Sequence, residues 1–214
     1  MKNEILLIEL QYFTPIIFYK NLNKFSNIIF EQYEYYEKMS FRNRCQVAGG
    51  EGVINLSIPL LHGRDQRTLM KDVKISGKNR WQDQHWKTIV SCYSRSPWFE
   101  YYRDELGELY LKPYVFLMDW NLACFEWSLK ALNIAPRYSL TDAYIKPTDV
   151  NEMVDWRNKL LPKNRKDGFD ISIPEMASSV IYRQVFKERI GFLPNLSILD
   201  LLFCEGKRAG ILLL

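Results

Sequence analysis

Fifteen residues, Tyr33 to Val47 (YEYYEKMSFRNRCQV), carry three basic side chains, two amides, two acids and four aromatics. Lys38, Arg42 and Arg44 have the most chemistry to offer, because guanidiniums donate paired hydrogen bonds to phosphate or carboxylate and an ammonium adds a point charge. If Lys38 to Val47 is extended, the two-residue period puts Arg42, Arg44 and Gln46 on one face and Phe41, Asn43, Cys45 and Val47 on the other. The guanidiniums then stand roughly 6 to 7 Å apart at their Cα atoms, near enough to grip one anion. The same cations can instead form a structural ion network with Glu31, Glu34 and Glu37, and both readings stay open. Asn43, on the opposite face, fixes a loop or orients a substrate.

His85 is the other candidate for chemistry. An imidazole can take or give a proton near neutral pH, yet His85 shares a helix face with Trp81 and Trp86, where a buried structural histidine is the alternative. Cys45 or Cys92 paired with His85 would make a nucleophilic couple, against the ordinary use of cysteine as a packed thiol. The many Trp and Tyr side chains suit either a stacking platform or plain core packing.

The elements that position these groups follow from hydrophobic spacing. Glu4 to Leu10 (EILLIEL) is an apolar run suited to a buried strand. QYFTP follows, with Thr14 pushed toward an extended conformation by Pro15 and Pro15 placed to start a helix through Phe25. Ile28 to Phe30 then begins a second strand that runs into Glu31, which completes a βαβ unit of a parallel sheet. Polar sites of such sheets lie beyond the carboxyl ends of the strands, where Gln11, Tyr12, Thr14 and Glu31 to Tyr36 fall. Gly49, Gly50 and Gly52 turn a hairpin into the alternating run Ile54 to Leu60, and Asp72 to Ile75 reads as one more short strand. QYFTP has no glycine and no Lys-Ser/Thr ending, so it is not a P-loop.

From Trp81 the period changes to that of a helix. Trp81, His85, Trp86, Ile89, Cys92 and Tyr93 share one arc, and further helices are expected over Glu100 to Lys112, Phe116 to Leu132, about Ser178 to Ile190, and Ile198 to Cys204. Ser197 and Asp200 have capping-box spacing for the last. Arg137 to Glu175 carries no clear period, and Lys163 to Asp167 reads as a solvated loop. The fold expected is α/β: an N-terminal βαβ unit with a mixed sheet and hairpin, followed by a mainly helical C-terminal half. It is read as one domain over 1–214, sheet-rich in 1–76 and mainly helical in 77–214.

Bulk properties narrow the function. A content of 47% hydrophobic residues supports a real core, and a net charge of +4 spread over 29 basic and 25 acidic residues is too balanced for a nucleic-acid coat. No apolar run approaches the roughly 20 residues of a membrane span, and the N-terminus lacks a signal-peptide cleavage site, so a cytoplasmic protein is expected. Four cysteines without a C-x-x-C pair disfavour zinc, two histidines exclude a His-rich metal centre, and no cofactor is implied.

Across nearly its whole length the chain resembles the WbqC-like family. The similarity is carried by Leu10-Gln11-Tyr12-Phe13-x-Pro15 with Tyr19, Lys38-x-x-Phe41-Arg42-Asn43-Arg44, Leu56-Ser57-Ile58-Pro59, Trp81 with His85-Trp86-x-Thr88-Ile89, Tyr93 with Ser96-Pro97-x-Phe99, and Asn121. Gly191 to Ser197 with Asp200 resembles the branch found in Bacteroidetes-type bacteria. One departure is Gln11-Tyr12, where many members read Gln-Pro. The resemblance implies a transferase of surface-polysaccharide or amino-sugar modification. The resemblance names no catalytic residue; the residues themselves suggest an anionic substrate, such as a nucleotide-linked amino sugar, held by Gln11, Lys38, Arg42, Asn43 and Arg44, with His85 moving the proton. The alternative is a non-catalytic module that binds a nucleotide or a protein partner.

Overall fold

The computed structural model describes residues 4–61, 67–78, 80–150, 153–162 and 179–214. Strands β1 (Ile5–Glu9) and β2 (Asn27–Glu31) flank helix α1 (Ile16–Asn21) and pair in parallel, Ile5 opposite Asn27 through Glu9 opposite Glu31. That is the βαβ unit expected from the apolar spacing. Two three-residue strands, β5 (Tyr138–Leu140) and β6 (Met153–Asp155), join it to give a wholly parallel sheet of order β5-β2-β1-β6. Both lie in the stretch without a readable period. Among the described residues the antiparallel ladder is a separate hairpin of β3 (Arg44–Gly49) and β4 (Gly52–Ser57), so the strands form two sheets rather than one. Asp72 to Ile75 contributes only isolated bridges, Leu60 to Ile75 and Lys74 to Phe116.

Helices α2 (Trp81–Tyr93), α3 (Phe99–Leu111) and α4 (Leu117–Leu132) fall within a residue or so of the expected spans. On α2 the buried set is Trp81, His85, Ile89, Cys92 and Tyr93, the arc read from the sequence except for Trp86, which is half-buried. Helix α4 ends where Asn133 turns left-handed (φ 55°), a conformation asparagine tolerates and one that caps the last carbonyls. The four cysteines are buried and unpaired. Among the described residues no helix is long and apolar enough to cross a membrane.

The expected helix over Ser178 to Ile190 is shorter: only α5 (Lys187–Ile190) forms among the described residues. Val180, Tyr182 and Gln184 are buried while Ile181 and Arg183 are exposed, a two-residue alternation that a helix cannot satisfy. What holds this segment extended is polar. Tyr182 donates to the Asp200 carboxylate, and Gln184 exchanges hydrogen bonds with the backbone of Leu193 at 2.7 and 2.8 Å. Val180 to Gln184 is therefore ambiguous in sequence, and the fully buried Asp200 decides it. Asp200 sits in α6 (Ile198–Glu205) and also accepts from Tyr93 at 2.6 Å, so only Ser197 of the supposed capping box caps the helix, accepting from the Leu199 amide.

The chain's late residues stitch its first loop. Ile16 N donates to Leu196 O, Ile198 N to Thr14 O and Ser197 N to Gln46 O, which locks the turn after β1 between α6 and β3. Asn121, fully buried on α4, closes the same loop from the other side: its Nδ2 donates to Leu10 O at 3.2 Å and Arg42 O at 2.7 Å. Two backbone carbonyls thus depend on one amide. Asn121→Leu keeps the branched shape and removes both bonds, so stability should fall by about 2 to 4 kcal/mol. A urea midpoint that drops with unchanged m-value checks this.

Candidate functional site

The polar residues past β1 and β2 divide into a buried ion cluster and a surface cavity. Their separation begins with a local correction: Lys38 to Asn43 is a turn, with Met39 at φ 59°, and the strand starts only at Arg44. Strand parity therefore does not relate Arg42 to Arg44. Arg42 is turned fully inward and Arg44 is half-buried at the rim.

Inside, Arg42 donates through Nε (3.1 Å) and Nη2 to Glu34 Oε1 and approaches Glu9 Oε2 at 3.7 Å. Glu9 also accepts from Gln11 Nε2 at 2.7 Å and from the Asn158 amide at 3.0 Å. Burial pushes the Glu34 carboxyl up, against the pull of Arg42. Beside this set, Glu31 accepts from the Tyr33 and Ile145 amides and from Thr141, and faces Arg157, which in turn grips Asp155. A carboxylate with that many donors is an anchor: it ties β2 to the loop that follows β5.

Outside, Tyr36, Lys38, Asn43, Arg44, Ser57 and Leu60 line a cavity of about 220 Å³. Asn43 is held in place, accepting from the Tyr36 hydroxyl (2.9 Å) and donating to Ile58 O (2.9 Å). Lys38 is exposed and forms no ion pair among the described residues; nor does Arg44, whose Nε is buried without a protein hydrogen-bond partner there. Arg42 thus belongs to an ion network, whereas Lys38 and Arg44 form no ion pair among the described residues.

His85 lies behind the hairpin. Its Nδ1 is 3.0 Å from the Tyr12 hydroxyl, which is 2.6 Å from the Tyr110 hydroxyl, and the ring is also hydrogen-bonded to the backbone of Ser57. Burial holds its pKa down to about 4, with the Ser57 bond opposing. At neutral pH the ring is uncharged. It touches the cavity only through Ser57, so the structure brings together Lys38, Asn43 and Arg44, sets Gln11 and Arg42 on Glu9, and keeps His85 apart from both groups.

Glu9, Asp155, Arg157 and Asn158 are functional candidates that the sequence reading passes over. Glu9 has a signal, an acidic side chain at the end of a strand otherwise buried. Arg157 has none, because β6 has no periodic pattern to place it. His62 and Arg64, and Lys163 to Asp167 of the expected solvated loop, lie outside the described residues.

The sequence profile of the WbqC-like protein family matches residues 11–164. That range contains Gln11, Lys38, Arg42, Asn43, Arg44 and His85, and stops short of Gly191 to Ser197. No curated protein and no solved structure gives a significant match.

Two measurements separate the roles described. Arg42→Ala leaves Glu34 and Glu9 buried without their cation and should cost about 3 to 5 kcal/mol, while Arg44→Ala at the rim should cost under about 1 kcal/mol. Equal urea midpoints for the two variants would refute the division. For His85 the folded pKa lies below the unfolded one, so the unfolded chain binds the extra proton between about pH 6.5 and 4 and stability is lost as pH falls through that window. Its share from pH 7 to pH 5 is on the order of 2 kcal/mol. His85→Gln should flatten the pH dependence of the urea midpoint by that amount, and an unchanged slope would contradict a buried neutral ring.

Proposed function

The chain belongs to the WbqC-like protein family, and from that premise we propose that it is a transferase of surface-polysaccharide or amino-sugar modification whose anionic, nucleotide-linked substrate docks its phosphate on Lys38 and Arg44. The observation that carries this reading is the pair of cations beside one cavity, neither ion-paired among the described residues, with Arg44 Nε lacking a protein partner there. A buried guanidinium nitrogen left without an acceptor is costly, and a phosphate oxygen is the acceptor it suits best. At about 220 Å³ the cavity takes a phosphoryl-sized group rather than a whole nucleotide sugar. The remainder of the ligand then extends from it.

In this reading Asn43 shapes the cavity wall, Arg42 supports the turn that delivers Arg44, and Gln11 orients the substrate from the end of β1. His85 sets the position of Ser57, and its depressed basicity makes it a weak base at neutral pH. Gly191 to Ser197 with Asp200, beyond the matched range, supports the Bacteroidetes-type branch of the family. A cytoplasmic location fits a substrate activated as a sugar nucleotide.

Calorimetric titration with orthophosphate, nucleoside diphosphates and nucleotide sugars tests the reading. Saturable binding that weakens about tenfold or more in Arg44→Ala and in Lys38→Ala is expected, since each removes a charge-assisted contact. Binding that ignores both substitutions, or none across the panel, would overturn it. Tight binding of a nucleotide sugar without turnover in the presence of sugar acceptors would favour the nucleotide-binding module instead.

A further inference from the structure

Beside Glu9 at the carboxyl end of β1, Gln11 Oε1 and Arg42 Nη1 have no protein hydrogen-bond partner among the described residues. Gln11 is 1% exposed and Arg42 0%, so solvent does not explain them, and buried polar atoms are ordinarily paired. One is an acceptor and the other a donor. Both flank the same carboxylate, for Gln11 Nε2 donates to Glu9 Oε1 and Arg42 Nη2 faces Glu9 Oε2. Asn121 on α4 holds the carbonyls of Leu10 and Arg42 with one amide, which fixes the two segments that carry them, and its own Oδ1 is likewise buried without a protein partner among the described residues.

The location is telling. From β1 the chain adds β2 and β5 on one side and then returns to place β6 on the other, so the sheet order reverses between β1 and β6. Ligands of parallel sheets bind outside the carboxyl ends of the strands at such a reversal. The Asn158 amide, which follows β6 and donates to Glu9 Oε2, belongs to an exposed residue.

The surrounding charge selects the ligand class. Glu9, Glu34, Glu31 and Asp155 stand against Arg42 and Arg157. Glu9, Glu31 and Asp155, with Glu34 adding less because burial pushes its carboxyl up, outweigh the two guanidiniums and disfavour an added anion, while a bare cation would meet the free N–H edge of Arg42. Hydroxyl groups are neutral and both donate and accept, so they match an unpaired acceptor such as Gln11 Oε1 and an unpaired donor such as Arg42 Nη1. We propose that the carboxyl end of β1 is a subsite for the hydroxyls of an uncharged sugar ring, read by Gln11 and Arg42 and separate from the cavity lined by Lys38 and Arg44. The subsite stands without the phosphate reading; if both hold, the two sites take the two ends of one ligand.

The test is solution NMR on the full chain, titrated separately with a methyl riboside, methyl hexosides and orthophosphate. Saturable binding of a glycoside, with a nuclear Overhauser contact to the Gln11 side-chain amide, is the expected result, and the riboside and hexoside arms show which ring is taken. Gln11→Met, near in volume and lacking the acceptor, should weaken that binding by at least about tenfold while thermal unfolding stays cooperative. The amide contact in the wild-type chain decides the matter even if the variant fails to fold. Phosphate binding without glycoside binding overturns this subsite alone, as does a high-resolution structure in which one water bridges Gln11 Oε1 and Arg42 Nη1 and no glycoside displaces it. Glycoside binding without phosphate binding leaves the subsite standing and removes the phosphate reading.

Discussion

Placing the guanidinium of Arg42 where no water reaches it is the most demanding feature of the structure. A buried charge of that size is tolerated only with carboxylates and hydrogen bonds around it, and Glu34 and Glu9 have to be brought from two different segments to supply them. Glu9 arrives at the end of a strand packed on both faces, while Glu34 arrives in the loop after β2. Meeting that demand draws the turn over 38–43 against β1, where the Tyr12 amide also donates to Phe41 O at 2.9 Å. Once the turn is seated, β3 begins with Arg44 directed toward the rim. The outward cation is thus a result of the inward one.

Around this centre the aromatic side chains act as rigid spacers with polar tips. Trp120 packs edge-on against Trp81, Tyr110 and Tyr114, and Tyr12 leans on it from the first loop. Burying rings of that size contributes on the order of 2 kcal/mol each, and edge-to-face contacts fix their mutual angles. The tyrosine hydroxyls then find each other or a buried acid: Tyr12 meets His85 and Tyr110, while Tyr93 and Tyr182 meet Asp200. Tyr93 also accepts from the Ala48 amide at 2.8 Å, which carries the same network into the hairpin. Gly206 shows how close the packing is, since at φ 55° a Cβ there would fall 2.1 Å from the Trp98 ring.

The parts of the fold legible in the sequence are those whose burial repeats. EILLIEL, the hairpin alternation and the arcs of α2, α3 and α4 each bury one face or both over several residues, so their spacing reports them. Strands β5 and β6 are three residues long and gain their structure from edges that β2 and β1 already offer; nothing local marks them. The turn over 38–43 escapes a parity argument for a related reason, because its course is set by Arg42 reaching carboxylates distant in the fold. In the candidate site Lys38, Asn43 and Arg44 are visible as a cluster of donors. The acids that sort them into buried and open members are visible only as isolated Glu or Asp residues, since charge pairing across the fold leaves no periodic trace.

The bond from the Asn158 amide to Glu9 spans 149 residues, and the one edge of β1 that β6 covers is made by the opposite end of the matched region. A ribosome delivers β1 first. Until β6 emerges, an apolar parallel strand has a bare edge, and until Leu196 to Ile198 emerge, the loop after it lacks its clamp. Vectorial synthesis therefore leaves this edge an unfinished template over that interval, open to strand addition by neighbouring nascent chains.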